Sequence, residues 1–147
     1  MDKNLIIAIG NSGREDDGLG WAFLDEVDKI FDHNFDKEYR YQLQVEDADL
    51  ISEYDNVLFV DADVRHHDKG YSIFNIQPID VESYTSHELS VESVLHLCHS
   101  IYKKYPKCYA LGITGESFNL NIGLTETGKT NLKKAIDHLD EIMAIFK

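Results

Sequence analysis

The sequence predicts an α/β fold: a three-layer sandwich in which a mostly parallel five-stranded sheet, with one antiparallel strand, lies between helices. Three observations carry this. Leu5–Ile9 and Asn56–Ala62 are nearly unbroken apolar runs, the mark of strands buried on both faces. Segments with helical spacing alternate with strand-like ones along the chain. The link Asp63–Gly70 is eight polar-rich residues, whereas a parallel crossover needs about a dozen or more. The strand after it is therefore expected to run antiparallel.

Leu5–Ile9 is the first strand, and Gly10–Gly20 is a loop with four glycines. Leu19, Phe23, Val27, Ile30 and Phe31 then recur at helical spacing, with Asp25, Glu26 and Asp28 on the other face. Tyr39–Val45 alternates like a second strand, and a short acidic helix follows around Asp47–Glu53. Asn56–Ala62 is the third strand and Tyr71–Gln77 a shorter fourth. Thr85-Ser86-His87-Glu88 has the form of a capping box, opening a helix with Val91, Val94, Leu95, Cys98, Ile101 and Tyr102 on one face. Cys108–Ile113 is the fifth strand. A last helix from about Thr125 to Phe146 buries Leu132, Ile136, Leu139, Met143 and Phe146. No repeat or Pro/Gly/Ser linker divides the chain, so residues 1–147 read as one domain.

That length suffices for a core without disulfide or metal. Fourteen Lys and Arg face 27 Asp and Glu, a formal charge of −13, which argues against nucleic-acid or anionic-membrane partners. Apolar runs are too short to cross a bilayer, and Met1-Asp2-Lys3-Asn4 does not open a signal peptide. Cys98 and Cys108 lie in apolar patterns without motif spacing, as expected of buried free thiols in a reducing cytoplasm.

In open parallel sheets, ligands gather at the carboxyl ends of strands, and three places there carry chemistry. The first is the loop Gly10–Gly20. It lacks the Gly-x-Gly-x-x-Gly spacing and a Walker lysine. It also sets Glu15, Asp16 and Asp17 where a phosphate would lie, which suits a divalent cation instead. The second is Asp61, a costly charge at the end of an apolar strand unless paired or bound. The third is His87. Taken singly, each has a plain reading as well: a solvated helix-capping loop, a turn residue, an exposed histidine. Together, two carboxylates and an imidazole form an O/O/N donor set that suits nickel, zinc or iron(II) and leaves coordination positions open. The cluster Asp61–Asp68 holds more potential ligands, but Arg65 and Lys69 interrupt its run of donors, and adjacent His66 and His67 read as solvated. His96, His99 and His138 read as surface residues. No Gly-x-Ser-x-Gly elbow, reactive cysteine or His-Glu-x-x-His is present.

The ordered pieces resemble the hydrogenase maturation proteases. They are strand-then-Gly10-Asn11, Asp16-Asp17-Gly18-Leu19-Gly20, Val60-Asp61-Ala62, Ser86-His87-Glu88-Leu89, Leu111-Gly112-Ile113, and Glu116-Ser117 before Ile122-Gly123-Leu124-Thr125. The resemblance implies an endopeptidase that trims the C-terminal extension of a nickel–iron hydrogenase large-subunit precursor after nickel insertion. Its partner would be that precursor, and its nickel would be carried by the substrate, with other divalent cations able to occupy the site. The family's metal-binding trio falls on Asp17, Asp61 and His87, and Asp16 and Asp17 are candidate general bases. Two departures stand out. Many members carry Asp-Gly-Gly-Thr after the second strand, where this chain has Val45-Glu46-Asp47-Ala48-Asp49, and many have a proline where Gly115 stands. Two other functions compete: a factor that checks nickel on a client without cutting it, and a small-molecule hydrolase on a similar scaffold.

Overall fold

A computed structural model describes residues 2–30, 34–79 and 89–146. Its strands are β1 (Asn4–Ile9), β2 (Asp36–Arg40), β3 (Asn56–Asp63), β4 (Tyr71–Asn75) and β5 (Lys107–Thr114), and its helices are α1 (Leu19–Ile30), α2 (Glu46–Ile51), α3 (Val91–Leu97), α4 (Glu126–Asp137) and α5 (Leu139–Met143). The sheet order is β2-β1-β3-β5-β4. All pairs are parallel except β4 with β5, so the short polar link does return the chain antiparallel. The apolar runs of β1 and β3 occupy central positions, where both faces of a strand are covered. Alternation then divides their side chains between two cores. Ile6, Ala8, Leu58 and Val60 pack with Leu19, Phe23, Ala135 and Met143, and Leu5, Ile7, Val57 and Phe59 pack with Ala48, Ile51, Val94 and Leu95. Among the described residues, no helix is long and apolar enough to cross a membrane.

Four boundaries differ from the sequence reading. The second strand spans Asp36–Arg40 rather than Tyr39–Val45, because its one neighbour, β1, ends at Ile9, which pairs with Arg40. Tyr41 is 71% exposed and stacks on Trp21 at 5.2 Å, while Leu43 is buried from a loop. The third helix starts at Val91 on Ser90, whose Oγ accepts the Ser93 N–H at 3.1 Å. The proposed capping box at 85–88 lies outside the described residues, as does Phe31. A π-helical turn at Cys98–Tyr102 adds a residue to the helical repeat. Ile101 is thereby rotated off the apolar face to 57% exposure, while Cys98 stays buried. The last helix breaks at His138 (φ −110°, ψ 26°), and the new direction lets Leu139, Ile142, Met143 and Phe146 reach the core. Ile30, expected on the buried face of α1, is 57% exposed at the helix end.

Candidate active site

The connections from β1 and β3 leave toward opposite edges of the sheet, so a crevice opens at the carboxyl ends of these two neighbours. Two glycines let the chain close around it. Gly10 ends β1 at φ +152°, and a Cβ there would overlap the Asp17 carbonyl, which accepts the Asn11 N–H at 3.1 Å. Gly20, in the first turn of α1, lies against the strand ends: a Cβ would sit 2.6 Å from the Val60 carbonyl oxygen and 2.8 Å from that of Ile9. The 3₁₀ turn Glu15–Gly18 and the start of α1 are thus pressed onto the rim between the two strands.

The acidic run does not act as one cluster. Glu15, at φ 51°, accepts the Ser117 hydroxyl at 2.8 Å and the Asn119 N–H at 3.2 Å. Asp16 is fully buried. Its carboxylate accepts the N–H groups of Glu116 (2.7 Å), Ser117 (3.3 Å) and Thr125 (2.8 Å) and the Thr125 hydroxyl (2.6 Å). Burial pushes its pKa up, but these donors outweigh burial and hold it below the ordinary carboxylate value. With both oxygens spent on the 115–125 loop, Asp16 is a clamp, buried away from any water it was expected to deprotonate. The clamp also closes the space at Gly115. A Cβ on Gly115 would meet Asp16 Cβ at 2.7 Å and Phe118 Cζ at 2.9 Å, so this chain has no space for proline there.

Asp17 lines, with Asp61, a cleft of about 520 Å³ whose walls include Gly10, Tyr41, Leu89 and Phe118. Asp61 Oδ1 accepts the N–H of Ala62 at 2.8 Å. The structure therefore brings two of the three expected donors together from distant parts of the chain. His87 lies outside the described residues; Leu89 and Ser90, which follow it, line the same cleft. Among the described residues no three His, Cys, Asp or Glu side chains gather as a cation site. Two carboxylates on one crevice suit a divalent cation, with further donors to come from elsewhere.

The rival cluster is consumed by internal pairing. Asp63 takes Arg65 (Nε 3.2 Å, Nη2 3.2 Å) and His67 Nε2 (3.0 Å). Burial raises its pKa, but these partners overcome that and hold it at about 2. His66 is exposed. Cys98 and Cys108 are buried free thiols, and burial pushes Cys98 up to about 11 and raises Cys108 as well. In the Val45–Asp49 segment, Asp47 is buried and ties the loop to the end of β2 through Gln44 N–H (2.8 Å) and Arg40 Nε (3.1 Å). A larger hollow of about 700 Å³, lined by Lys3, Tyr54, Lys104 and Tyr105, sits at the opposite, amino-terminal rim of the sheet. It is far from the carboxylates, and its mixed charges converge on no reacting position. Sequence reasoning missed the Asp16 clamp and the lining residues Tyr41 and Phe118. The one sequence signal near the clamp was Thr125, whose Oγ1 caps α4 through the Gly128 N–H at 3.0 Å.

No protein-family model matches this sequence, and neither does any curated protein. Solved structures do match. The hydrogenase maturating endopeptidase HybD from E. coli superposes with a TM-score of 0.76 at 18% identity, over 97% of this chain and 92% of that one. The NiFe hydrogenase maturation protease HycI from Thermococcus kodakarensis gives 0.73 at 20% identity, over 97% and 93%. A hydrogenase 2 maturation peptidase from a Thaumarchaeota archaeon gives 0.69 at 19% identity, over 97% and 99%. The chain therefore has the fold of the hydrogenase maturation endopeptidases, the family its motifs resemble.

Proposed function

We propose that the protein is an endopeptidase that removes the C-terminal extension of a nickel–iron hydrogenase large-subunit precursor once nickel is in place. The observation that carries this is the meeting of Asp17 and Asp61 in one cleft at the β1/β3 rim, within this fold. In this reading Asp17, Asp61 and His87 dock the nickel of the precursor, which is part of the substrate. Held there, the ion would supply Lewis-acid chemistry, polarising the scissile carbonyl or acidifying a water, an effect worth several kcal/mol. The chain's own part is to hold the peptide against the rim and move a proton. One of the two cleft carboxylates accepts the proton of the attacking water from within about 3 Å and returns it to the leaving amine. Asp16 keeps the loop that carries Asp17 in place.

The test is to mix the protein with nickel-loaded and nickel-free precursor and follow the precursor mass. The expected result is shortening of the loaded form alone and none with Asp17→Ala. Equal processing of both forms, or full activity in Asp17→Ala, contradicts the docking role. A second reading, a factor that holds a client without cutting it, is favoured by the Val45–Asp49 segment, where Asp47 serves the fold. It predicts a metal-dependent complex with unchanged client mass.

A further inference from the structure

We propose that Asp63 is a positioning residue: it and Asp16 grip the backbone of residues 114–117 from two sides and so fix how far apart Asp17 and Asp61 stand. This rests on the reading that the two cleft carboxylates take a divalent cation together, and it adds what holds them at the separation a shared ion needs. Asp63 ends β3 two residues after Asp61, so alternation puts both side chains on one face of the sheet. Its side chain lies over Gly112, the β5 partner of Asp61: a Cβ there would sit 3.0 Å from Asp63 Oδ2 and 3.2 Å from Asp63 Cβ. Seated there, the Asp63 side chain is 11% exposed and its carboxylate meets four donors. Oδ1 accepts the Arg65 N–H (3.0 Å) and Arg65 Nε (3.2 Å), while Oδ2 accepts Nη2 (3.2 Å) and pairs with His67 Nε2 (3.0 Å).

These bonds fix the turn that leaves β3 while the Asp63 carbonyl still accepts the Gly115 N–H, at 2.8 Å. Thr114, the β5 partner of Asp63, donates its hydroxyl to the Arg65 carbonyl at 2.8 Å and its N–H to the Gly70 carbonyl at 2.9 Å. The link 64–70 is thereby closed over the end of β5. The next residues of that backbone meet Asp16: Glu116 and Ser117 donate N–H groups to its carboxylate, and the Ser117 carbonyl accepts the Asp16 N–H at 3.0 Å. A bonded path thus runs from Asp61 through Asp63, residues 114–117 and Asp16 to Asp17. Its middle is tight, since a Cβ on Gly115 would stand 2.7 Å from Asp16 Cβ. A cation held by both carboxylates tolerates little drift, because oxygen ligands lie at about 2.0–2.2 Å from a metal such as zinc. Groups that orient the ligands from behind are worth about 10–100-fold in metal affinity. Asp63, with both oxygens occupied, supports the ligands and is not one of them.

The experiment titrates nickel chloride into the full chain by calorimetry and records amide NMR spectra of the same samples. Asp63→Asn keeps the shape of the side chain and removes its charge. It should weaken nickel binding by about 10–100-fold and move the amide signals of Asp17, Glu116 and Ser117 besides those of residues 64–70. Ile142→Ala, a core variant on α5, loses stability for an unrelated reason and should keep wild-type nickel affinity. Wild-type affinity in Asp63→Asn, an equal loss in Ile142→Ala, or signal changes confined to residues 64–70 overturn the proposal. Where Asp63→Asn does not fold, Arg65→Ala decides by the same two readouts, since it deletes a 68% exposed side chain that supplies two of the four donors. Asp61→Asn separates the proposal from the reading beneath it. If that variant binds nickel as wild type does, or wild type binds none, the shared-cation reading fails and the amide signals alone judge Asp63. Changes that reach Asp17 then uphold its positioning role, and changes that stop at residue 70 overturn it.

Discussion

Asp16→Ala is the perturbation whose cost the structure states most directly. The carboxylate is fully buried and accepts three backbone N–H groups and one hydroxyl. Alanine leaves those donors facing a cavity. Each unsatisfied buried group costs about 1–3 kcal/mol, and water entering the space recovers part of it, so the expected loss is about 3–6 kcal/mol. That is a large share of a stability of about 5–15 kcal/mol. With a urea slope near 2 kcal/mol/M, the unfolding midpoint falls by about 2 M. Trp21, the single tryptophan, sits on α1 against Tyr39 and Tyr41 and reports the transition by fluorescence. Acid supplies an independent check. Because the folded-state pKa of Asp16 is depressed, its contribution is complete above the unfolded value near 4 and is lost as pH falls through the lower folded value. Wild type should therefore lose stability below about pH 4, and Asp16→Asn should show a shallower acid slope. A loss below about 1 kcal/mol in Asp16→Ala, or an unchanged acid slope in Asp16→Asn, would refute the clamp.

Other outcomes follow from the same coordinates. Gly20→Ala should destabilise by about 1–3 kcal/mol in thermal unfolding, against alanine's helix advantage of about 1 kcal/mol, because its Cβ meets two strand-end carbonyls; a more stable variant would show that α1 does not close on the rim. Phe59→Ala, buried in the core beneath Asp61, should cost about 3–5 kcal/mol in urea unfolding, and a loss near zero would contradict its packing. Cys98 and Cys108 should react with a thiol reagent at pH 8 only as the protein unfolds, since both are buried and their pKa values raised; rapid labelling of the native protein would contradict their burial.

What the sequence disclosed, and what it concealed, follows from how local each cause is. Leu5–Ile9 and Asn56–Ala62 were legible because burial on both faces demands apolar residues at every position, and the antiparallel β4 because a short link forbids the crossover. The second strand was misplaced because Tyr41 and Leu43 are apolar for reasons other than pairing: both line the cleft. The π-turn after Leu97 and the break at His138 depend on which neighbours the chain meets, and periodicity alone carries no trace of them. That Asp17 and Asp61 lie together at the carboxyl rim of β1 and β3 was legible from the sequence. The division of labour among Glu15, Asp16 and Asp17 was not, because it is set by donors from Glu116 to Thr125, about a hundred residues away in sequence. His87 lies outside the described residues and stands on the sequence argument alone.

The central claim is that Asp17, Asp61 and His87 share one cation. A crystal soaked in a nickel or cadmium salt, with anomalous scattering to place the ion, tests it most directly. The account predicts a peak in the β1/β3 crevice bonded by oxygens of Asp17 and Asp61 and a nitrogen of His87, absent in Asp61→Asn. A peak that forms elsewhere and leaves this crevice empty, or an ion that persists unchanged in Asp61→Asn, would contradict it.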